Sequence, residues 1–350
     1  MHGMSRAQER SLRLVFAALV CAAIAVGVWL GLKRPGAAPE DDGGSNGPPL
    51  APSALPVAQA PTAAESIPPK FTLAPVSTWA FDGAVVADTL PVKQIDEVDA
   101  GILVDADTGK ILWSKHSHRK EQIASMTKMM TALLAVEQIE QGRVSPAMPV
   151  VTSKAAARIG GSQVYLKEGE TFTLAELLQS VMIHSANDSA HAVAEALSGS
   201  VGAFVTQMNA RAAALGMRDT HYYNVHGLPL SNGENISSAY DSAILARELL
   251  KHPRILEWSS TWITMFRDNT FQMVNHNRLV KDVPGVDGLK TGYYKKAGFC
   301  VTFTVKREGR RLIGVLIGVD NKTVRNAVAE ALIDWGYQRI SNQWEVISKQ

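Results

Sequence analysis

The sequence predicts an α+β domain held behind an apolar N-terminal segment and a proline-rich tether. Alternating apolar strands stand at both ends of the region after residue 95, and helical periodicity fills its middle. Upstream, residues 14–32 carry no charged side chain. A chain of 350 residues that is 46% hydrophobic and 19% charged can bury a sizeable core in one large domain or two ordinary ones. Its net charge of +2 and pI near 8.4 demand no nucleic-acid partner.

Residues 1–13 read as a short cytoplasmic tail, because Arg6, Arg10 and Arg13 precede the apolar run and favour an N-terminus inside, although Lys33 and Arg34 weaken that bias. Residues 14–32 read as a transmembrane signal-anchor helix: nineteen residues at helical rise span about 28 Å, which matches a bilayer core. A cleaved signal peptide is the rival. Its nearest small-residue site, Gly36-Ala37-Ala38, is followed by Pro39, so an uncleaved single-pass anchor is favoured, with the following domain on the extracytoplasmic side. Residues 33–95 form a Pro/Ala/Gly-rich tether with an ill-defined end. Its 35–75 stretch holds ten of the sixteen prolines in 41 residues and would reach about 130 Å if fully extended in the polyproline form.

The globular domain is expected over 96–343, with 344–350 as a tail. Residues 102–105 and 111–114 flank Asp107-Thr108-Gly109, a hairpin signature. An apolar run from Met129 to Val136 points to a helix starting near Ala124. Thr173 and Glu176 form a capping box for a helix through Val181, and further helices are expected over 189–197, 201–215 and 241–250. Val301, Phe303 and Val305 then alternate with Cys300, Thr302 and Thr304. A strand over 312–319 and a helix marked by Val324, Val328, Ala331, Leu332 and Trp335 complete the domain. The sheet therefore joins both ends of the domain.

Cys21 lies in the apolar segment and Cys300 in a strand, where it reads as a small buried hydrophobe, so no disulfide framework is available. The nine histidines make no His-Glu-X-X-His cluster, and His116-Ser117-His118 reads as a solvated turn. No metal and no cofactor are called for.

The chemistry centres on Ala124-Ser125-Met126-Thr127-Lys128, which sets a hydroxyl and an amine one helical turn apart. In a first turn, unpaired N–H groups favour an anion, including the oxyanion of an attacked carbonyl. Alone, the tetrad is an ordinary helix start. Two further motifs change its meaning: Ser185-Ala186-Asn187 between two predicted helices, and Lys290-Thr291-Gly292 on the strand that begins at Val286. Ser-X-X-Lys, Ser-X-Asn and Lys-Thr-Gly, in that order and separated by 60 and 105 positions, resemble the penicillin-binding protein and serine β-lactamase superfamily. Residues 105–110, His226-Gly227-Leu228, Ala239-Tyr240-Asp241 and 286–292 are similar to the low-molecular-weight D-alanyl-D-alanine carboxypeptidases. The resemblance covers roughly residues 96–336.

The resemblance implies a β-lactamase/transpeptidase-like fold: an antiparallel sheet from both ends of the domain, an all-helical subdomain, and the active site between them. Serine is a poor nucleophile at neutral pH, and Lys128 is placed to be its general base. Moving a lysine pKa from about 10.4 to near 7 takes roughly 4 to 5 kcal/mol, obtainable from burial and a second cation, for which Lys290 is the candidate. By resemblance, Ser185 relays a proton to the leaving amine, and Asn187 orients the base and the substrate amide. Lys290, Thr291 and Gly292 bind substrate, with Thr291 meeting its terminal carboxylate. The resemblance also implies an oxyanion hole from the backbone N–H groups of Ser125 and Tyr293. His184 and His191 read as structural, and His276 and Arg278 are candidates for the cleft mouth.

The implied activity is a membrane-tethered serine D,D-carboxypeptidase that removes the terminal D-alanine of peptidoglycan stem peptides and takes β-lactams as covalent inhibitors. Two alternatives stay open: a D,D-endopeptidase cutting cross-links, and a catalytically silent wall-binding protein. Ile123 stands where many relatives have proline. After Gly336 only fourteen residues remain, so the second β-rich domain and C-terminal amphipathic helix of longer relatives are expected to be absent, with segment 14–32 as the anchor instead. No Glu-X-X-X-Asn lies between Ser185 and Lys290 in the manner of class A β-lactamases, so efficient deacylation of penicillin is not expected.

Overall fold

A computed structural model of the chain describes Phe81 and residues 92–347. The tail 1–13, the anchor segment 14–32 with Cys21, most of the tether 33–95 and residues 348–350 lie outside the described residues. Among the described residues no helix is long and apolar enough to cross a membrane.

Strands β1 (Ala100–Asp105) and β2 (Ile111–Lys115) form the first hairpin. Asp105 shapes its turn, since Oδ1 accepts from the N–H groups of Asp107 and Thr108 at 3.0 and 3.2 Å. A two-residue strand β3 (Glu121–Gln122) leads into a 3-10 turn, Ala124–Thr127, and then helix α1 (Lys128–Glu140). The helix expected from Ala124 thus starts as a tighter coil. In that coil residues three apart eclipse one another, which sets Ser125 over Lys128.

Strands β4 (Pro149–Val151) and β5 (Thr171–Thr173) pair ahead of α2 (Leu174–Ile183). The expected capping box is present: Thr173 Oγ1 accepts from the Glu176 N–H, while the Glu176 carboxylate accepts from the Thr173 N–H at 2.8 Å. Helices α3 (Asn187–Ser198) and α4 (Val201–Ala214) follow, then β6 (Ile236–Ser237), α5 (Ala239–Leu249) and α6 (Pro253–Ser260). Next come the hairpin β7 (Ile263–Phe266) and β8 (Phe271–Val274) and the short α7 (Leu279–Asp282). Strands β9 (Val286–Tyr294), β10 (Gly298–Arg307) and β11 (Arg310–Val319) and helix α8 (Lys322–Ile347) end the described chain.

The main sheet has the order β2-β1-β11-β10-β9 and is antiparallel throughout. Ala100 faces Ile317 across β1 and β11, so both ends of the domain meet in one sheet. The alternation along β10 sorts its side chains between two cores. Val301, Phe303 and Val305 pack with Leu312 and Leu316 against Val328, Leu332 and Ile333 of α8. Cys300, on the opposite face, joins the core shared with Ile102, Val104 and the apolar residues of α1, α2 and α3. The sheet is buried on both sides, and the nucleophile turn lies where its helical face meets the helical subdomain.

Several elements were not legible, α6 and the β7–β8 hairpin among them. Helix α6 is only eight residues and opens on Pro253, too short for two helical periods. The β7–β8 hairpin turns through Arg267, Asp268 and Asn269, all at positive φ, without the glycine that flags such turns. Helix α8 continues through Ile347, beyond the boundary drawn at 343.

Candidate active site

Backbone close packing builds the site before any side chain enters it. Residues 123–125 run between two glycines. A Cβ on Gly292 of β9 would lie 2.5 Å from the Ile123 carbonyl oxygen and 3.1 Å from Ser125 N. A Cβ on Gly227 would meet the Ala124 carbonyl oxygen at 2.0 Å. Glycine is required on both sides, and in return β9 lies directly against the turn that carries Ser125.

Lys128, the first residue of α1, is fully buried. Its Nζ is 3.0 Å from Ser125 Oγ, 2.6 Å from Asn187 Oδ1 and 2.8 Å from the His226 carbonyl oxygen. The last two groups can only accept. A neutral amine has two N–H groups and one lone pair, so donating to both acceptors leaves the lone pair for the Ser125 hydroxyl proton. Burial, with the charge of Lys290 second, holds the Lys128 pKa well below its ordinary value, while Asp188 opposes the shift. The expected proton acceptor is therefore aimed at Ser125 Oγ, and its lowered pKa favours the neutral amine.

Lys290 is itself buried, and burial with the nearby Arg325 guanidinium lowers it to about 7. Its Nζ donates to the Thr291 carbonyl at 3.1 Å. Ser185 joins α2 to α3 in a left-handed conformation, φ 63°, uncommon for a residue with a Cβ. Asn187 opens α3. Its Oδ1 holds Lys128, and its Nδ2 donates to the Gly160 carbonyl at 2.7 Å. One of the two Nδ2 donors is thus spent inside the protein, on Gly160.

Ser125, Ser185, Thr291, Gly292 and Tyr293 line one cleft of about 450 Å³. Tyr293 is 55% exposed and its ring stacks on Phe299 at 4.0 Å, so its side chain forms a wall of the cleft. His276 and Arg278 also line the cleft. His276 is lowered to about 3 by burial, then by Lys290, and is neutral at pH 7. His184 packs edge-on to Phe271 at 5.4 Å, and His191 pairs with Glu195 at 3.3 Å.

Sequence reading gave no role to Arg325 or to the His226 carbonyl. Arg325 is 2% exposed, donates to the Cys300 carbonyl at 3.2 Å and reaches the cleft from the first turn of α8. A cation in a helix's first turn runs against the dipole, and that was the available signal. A backbone carbonyl leaves none.

Glu137, Glu248 and His252 offer ligand atoms within 4.8 Å of one another. The Arg211 guanidinium already bridges the two carboxylates at 2.6 and 3.0 Å, so the group is an internal ion network. Cys300 is buried, and burial raises its thiol to about 11.

Residues 88–321 match the peptidase S11 family, D-alanyl-D-alanine carboxypeptidase. The chain is 41% identical to the D-alanyl-D-alanine carboxypeptidase DacF of Bacillus subtilis, over 69% of this chain and 63% of that protein. It therefore spans less than two thirds of that relative's length. Among solved structures, penicillin-binding protein 6B of Escherichia coli aligns with a TM-score of 0.67 at 31% identity, over 74% of this chain and 82% of that one. The ampicillin-bound penicillin-binding protein D2 of Listeria monocytogenes aligns at 0.65 and 25%, over 71% of this chain and 99% of that one. The fold is that of the penicillin-binding proteins, and the chain belongs to the D-alanyl-D-alanine carboxypeptidase family, peptidase S11.

Proposed function

We propose that the chain is a serine D,D-carboxypeptidase that releases the terminal D-alanine of peptidoglycan stem peptides through an acyl-enzyme. The observation that carries this is the buried Lys128 amine, its Nζ 3.0 Å from Ser125 Oγ and held by the Asn187 and His226 carbonyl oxygens at 2.6 and 2.8 Å. Ser125 Oγ attacks the carbonyl of the penultimate D-alanine as its proton passes to Lys128 Nζ. The oxyanion forms against the backbone N–H groups of Ser125 and Tyr293. The C–N bond then breaks, and the leaving amine takes a proton from Lys128 through Ser185. Water, deprotonated by Lys128, hydrolyses the ester and restores the serine.

Thr291, Lys290 and Arg325 surround the place of the substrate's terminal carboxylate. No aspartate or glutamate lines the cleft among the described residues, which suits an anionic peptide terminus. β-Lactams, which the Listeria relative binds, would acylate the same serine. We place the domain on the extracytoplasmic side of the membrane, held by the apolar segment 14–32 and the proline-rich tether.

Covalent labelling by a fluorescent penicillin tests the reading. Labelling of the wild type with loss in Ser125→Ala supports it. An unlabelled wild type would favour a silent wall-binding protein.

A further inference from the structure

The Asn235 side chain bridges the nucleophile turn and the loop that holds the base, although 108 positions separate it from its partner in that turn. It is 3% exposed. Its Oδ1 accepts from the N–H groups of Tyr223 and Asn224 at 2.7 and 3.1 Å. Its Nδ2 donates to the Asn224 carbonyl at 2.9 Å and to Thr127 Oγ1 at 2.8 Å. The backbone partners fix which end of the amide is which, and both donors and both acceptor sites are used.

Each group Asn235 grips leads to the reacting atoms. Thr127 is fully buried and sits between Ser125 and Lys128 in the 3-10 turn. Asn224 folds the next loop: its Oδ1 accepts from the N–H groups of His226 and Gly227 at 3.1 and 2.6 Å, and its Nδ2 donates to the Leu228 carbonyl at 2.8 Å. That loop presents the His226 carbonyl to Lys128 Nζ at 2.8 Å and lays Gly227 against Ala124.

We propose that Asn235 is a positioning residue for acylation: its carboxamide locks the Ser125–Lys128 turn to the 224–228 loop, keeping the Lys128 amine dry and aimed at Ser125 Oγ. This rests on the proposed acyl-enzyme reading. Without Asn235 the Thr127 hydroxyl and the loop lose their common anchor, and water gains a path to Nζ. The ionisable groups around that amine are Lys290 on β9, Asp188 on α3, His226 on the loop and His276 ahead of α7. Asn235→Ala changes none of them, so a shift in the pH profile reports hydration of Lys128. Burial is the largest cause of its lowered pKa, so hydration raises that pKa and moves the acid limb of acylation to higher pH.

The test measures penicillin acylation rate against pH for full-length wild type, Asn235→Ala, Thr127→Val and the double variant, with melting temperature alongside. Asn235→Ala is expected to slow acylation on the order of ten- to a hundredfold. Its acid limb should rise by on the order of one pH unit. Thr127→Val should act in the same direction, and the two effects should not multiply in the double variant. Unchanged rate and profile in folded Asn235→Ala, or effects that multiply, would overturn the proposal. If Asn235→Ala does not fold, Thr127→Val decides, and wild-type kinetics there would overturn it. A wild type that is never acylated sinks the parent reading; a wild type that is acylated alongside an unaffected variant sinks only this one.

Discussion

The carboxamide oxygen of Asn187 lies 2.6 Å from Lys128 Nζ, closer than Ser125 Oγ or the His226 carbonyl oxygen. The same side chain is tied through Nδ2 to Gly160. Removing it frees the base to rotate away from the hydroxyl. Asn187→Ala should lower the penicillin acylation rate about 10²-fold. Asn187→Asp should also move the acid limb to higher pH, because a carboxylate at that distance favours the ammonium form. Stopped-flow labelling across pH checks both, and an Ala variant within twofold of wild type would remove Asn187 from the site.

The two buried lysines predict a bell. Lys128 must be neutral, and its pKa is lowered, so kcat/KM rises with pH through that lowered value. Lys290 must be charged to meet a carboxylate, and its pKa is about 7, so kcat/KM for a peptide substrate falls again above neutral pH. In Lys290→Arg the charge persists, so the alkaline fall should vanish, although the overall rate drops because the planar guanidinium fits the site differently. An alkaline limb that survives this substitution assigns it to another group.

These shifts also set stability. Each lysine is lowered by folding, so between its folded pKa and about 10.4 the unfolded chain binds more protons than the folded one. Stability should therefore rise with pH across that window from these groups. Lys128→Met removes a buried amine and keeps most of its volume, so it should raise the melting temperature at pH 7 while acylation is lost. A lowered melting temperature would show that the amine's three contacts outweigh its desolvation.

Gly292→Ala tests the close approach of β9. The added methyl meets the Ile123 carbonyl oxygen at 2.5 Å and must push the nucleophile turn. A destabilisation of about 1–3 kcal/mol is expected. The acylation rate should fall more than tenfold, since displacement of the reacting atoms by about 1 Å is enough for that. Thermal melting and labelling together check it, and an active, stable variant would contradict the packing.

Most of the main sheet and the helices around the three motifs were readable, because their periods are long enough to repeat: β10 alternates from Cys300 through Val305, and the Thr173–Glu176 capping box marks its helix directly. Ser125, Lys128 and Asn187 were readable from motif order, and the structure brings them into contact. What stayed hidden depends on contacts far apart in sequence. The His226 carbonyl is chemically like any other until the fold sets it 98 positions away against Lys128. Asn235 has no motif around it. Gly160, from a loop with no periodic signal, takes one of the two Asn187 Nδ2 donors, a partner that no motif announces.

Residues 14–32, nineteen without a charged side chain, are expected to hold the chain in the membrane. Full-length protein should stay with membranes after a high-salt or carbonate wash, since burial of apolar surface is not screened by salt. N-terminal sequencing of native protein that begins at Pro39, or anywhere after Leu32, would make it a released enzyme.

The most direct measurement is mass spectrometry of purified muropeptides after incubation with the protein. Monomeric pentapeptides should lose one D-alanine in the wild type and remain intact with Ser125→Ala. Intact pentapeptides after wild-type treatment, or cleavage confined to cross-linked dimers, would contradict the carboxypeptidase.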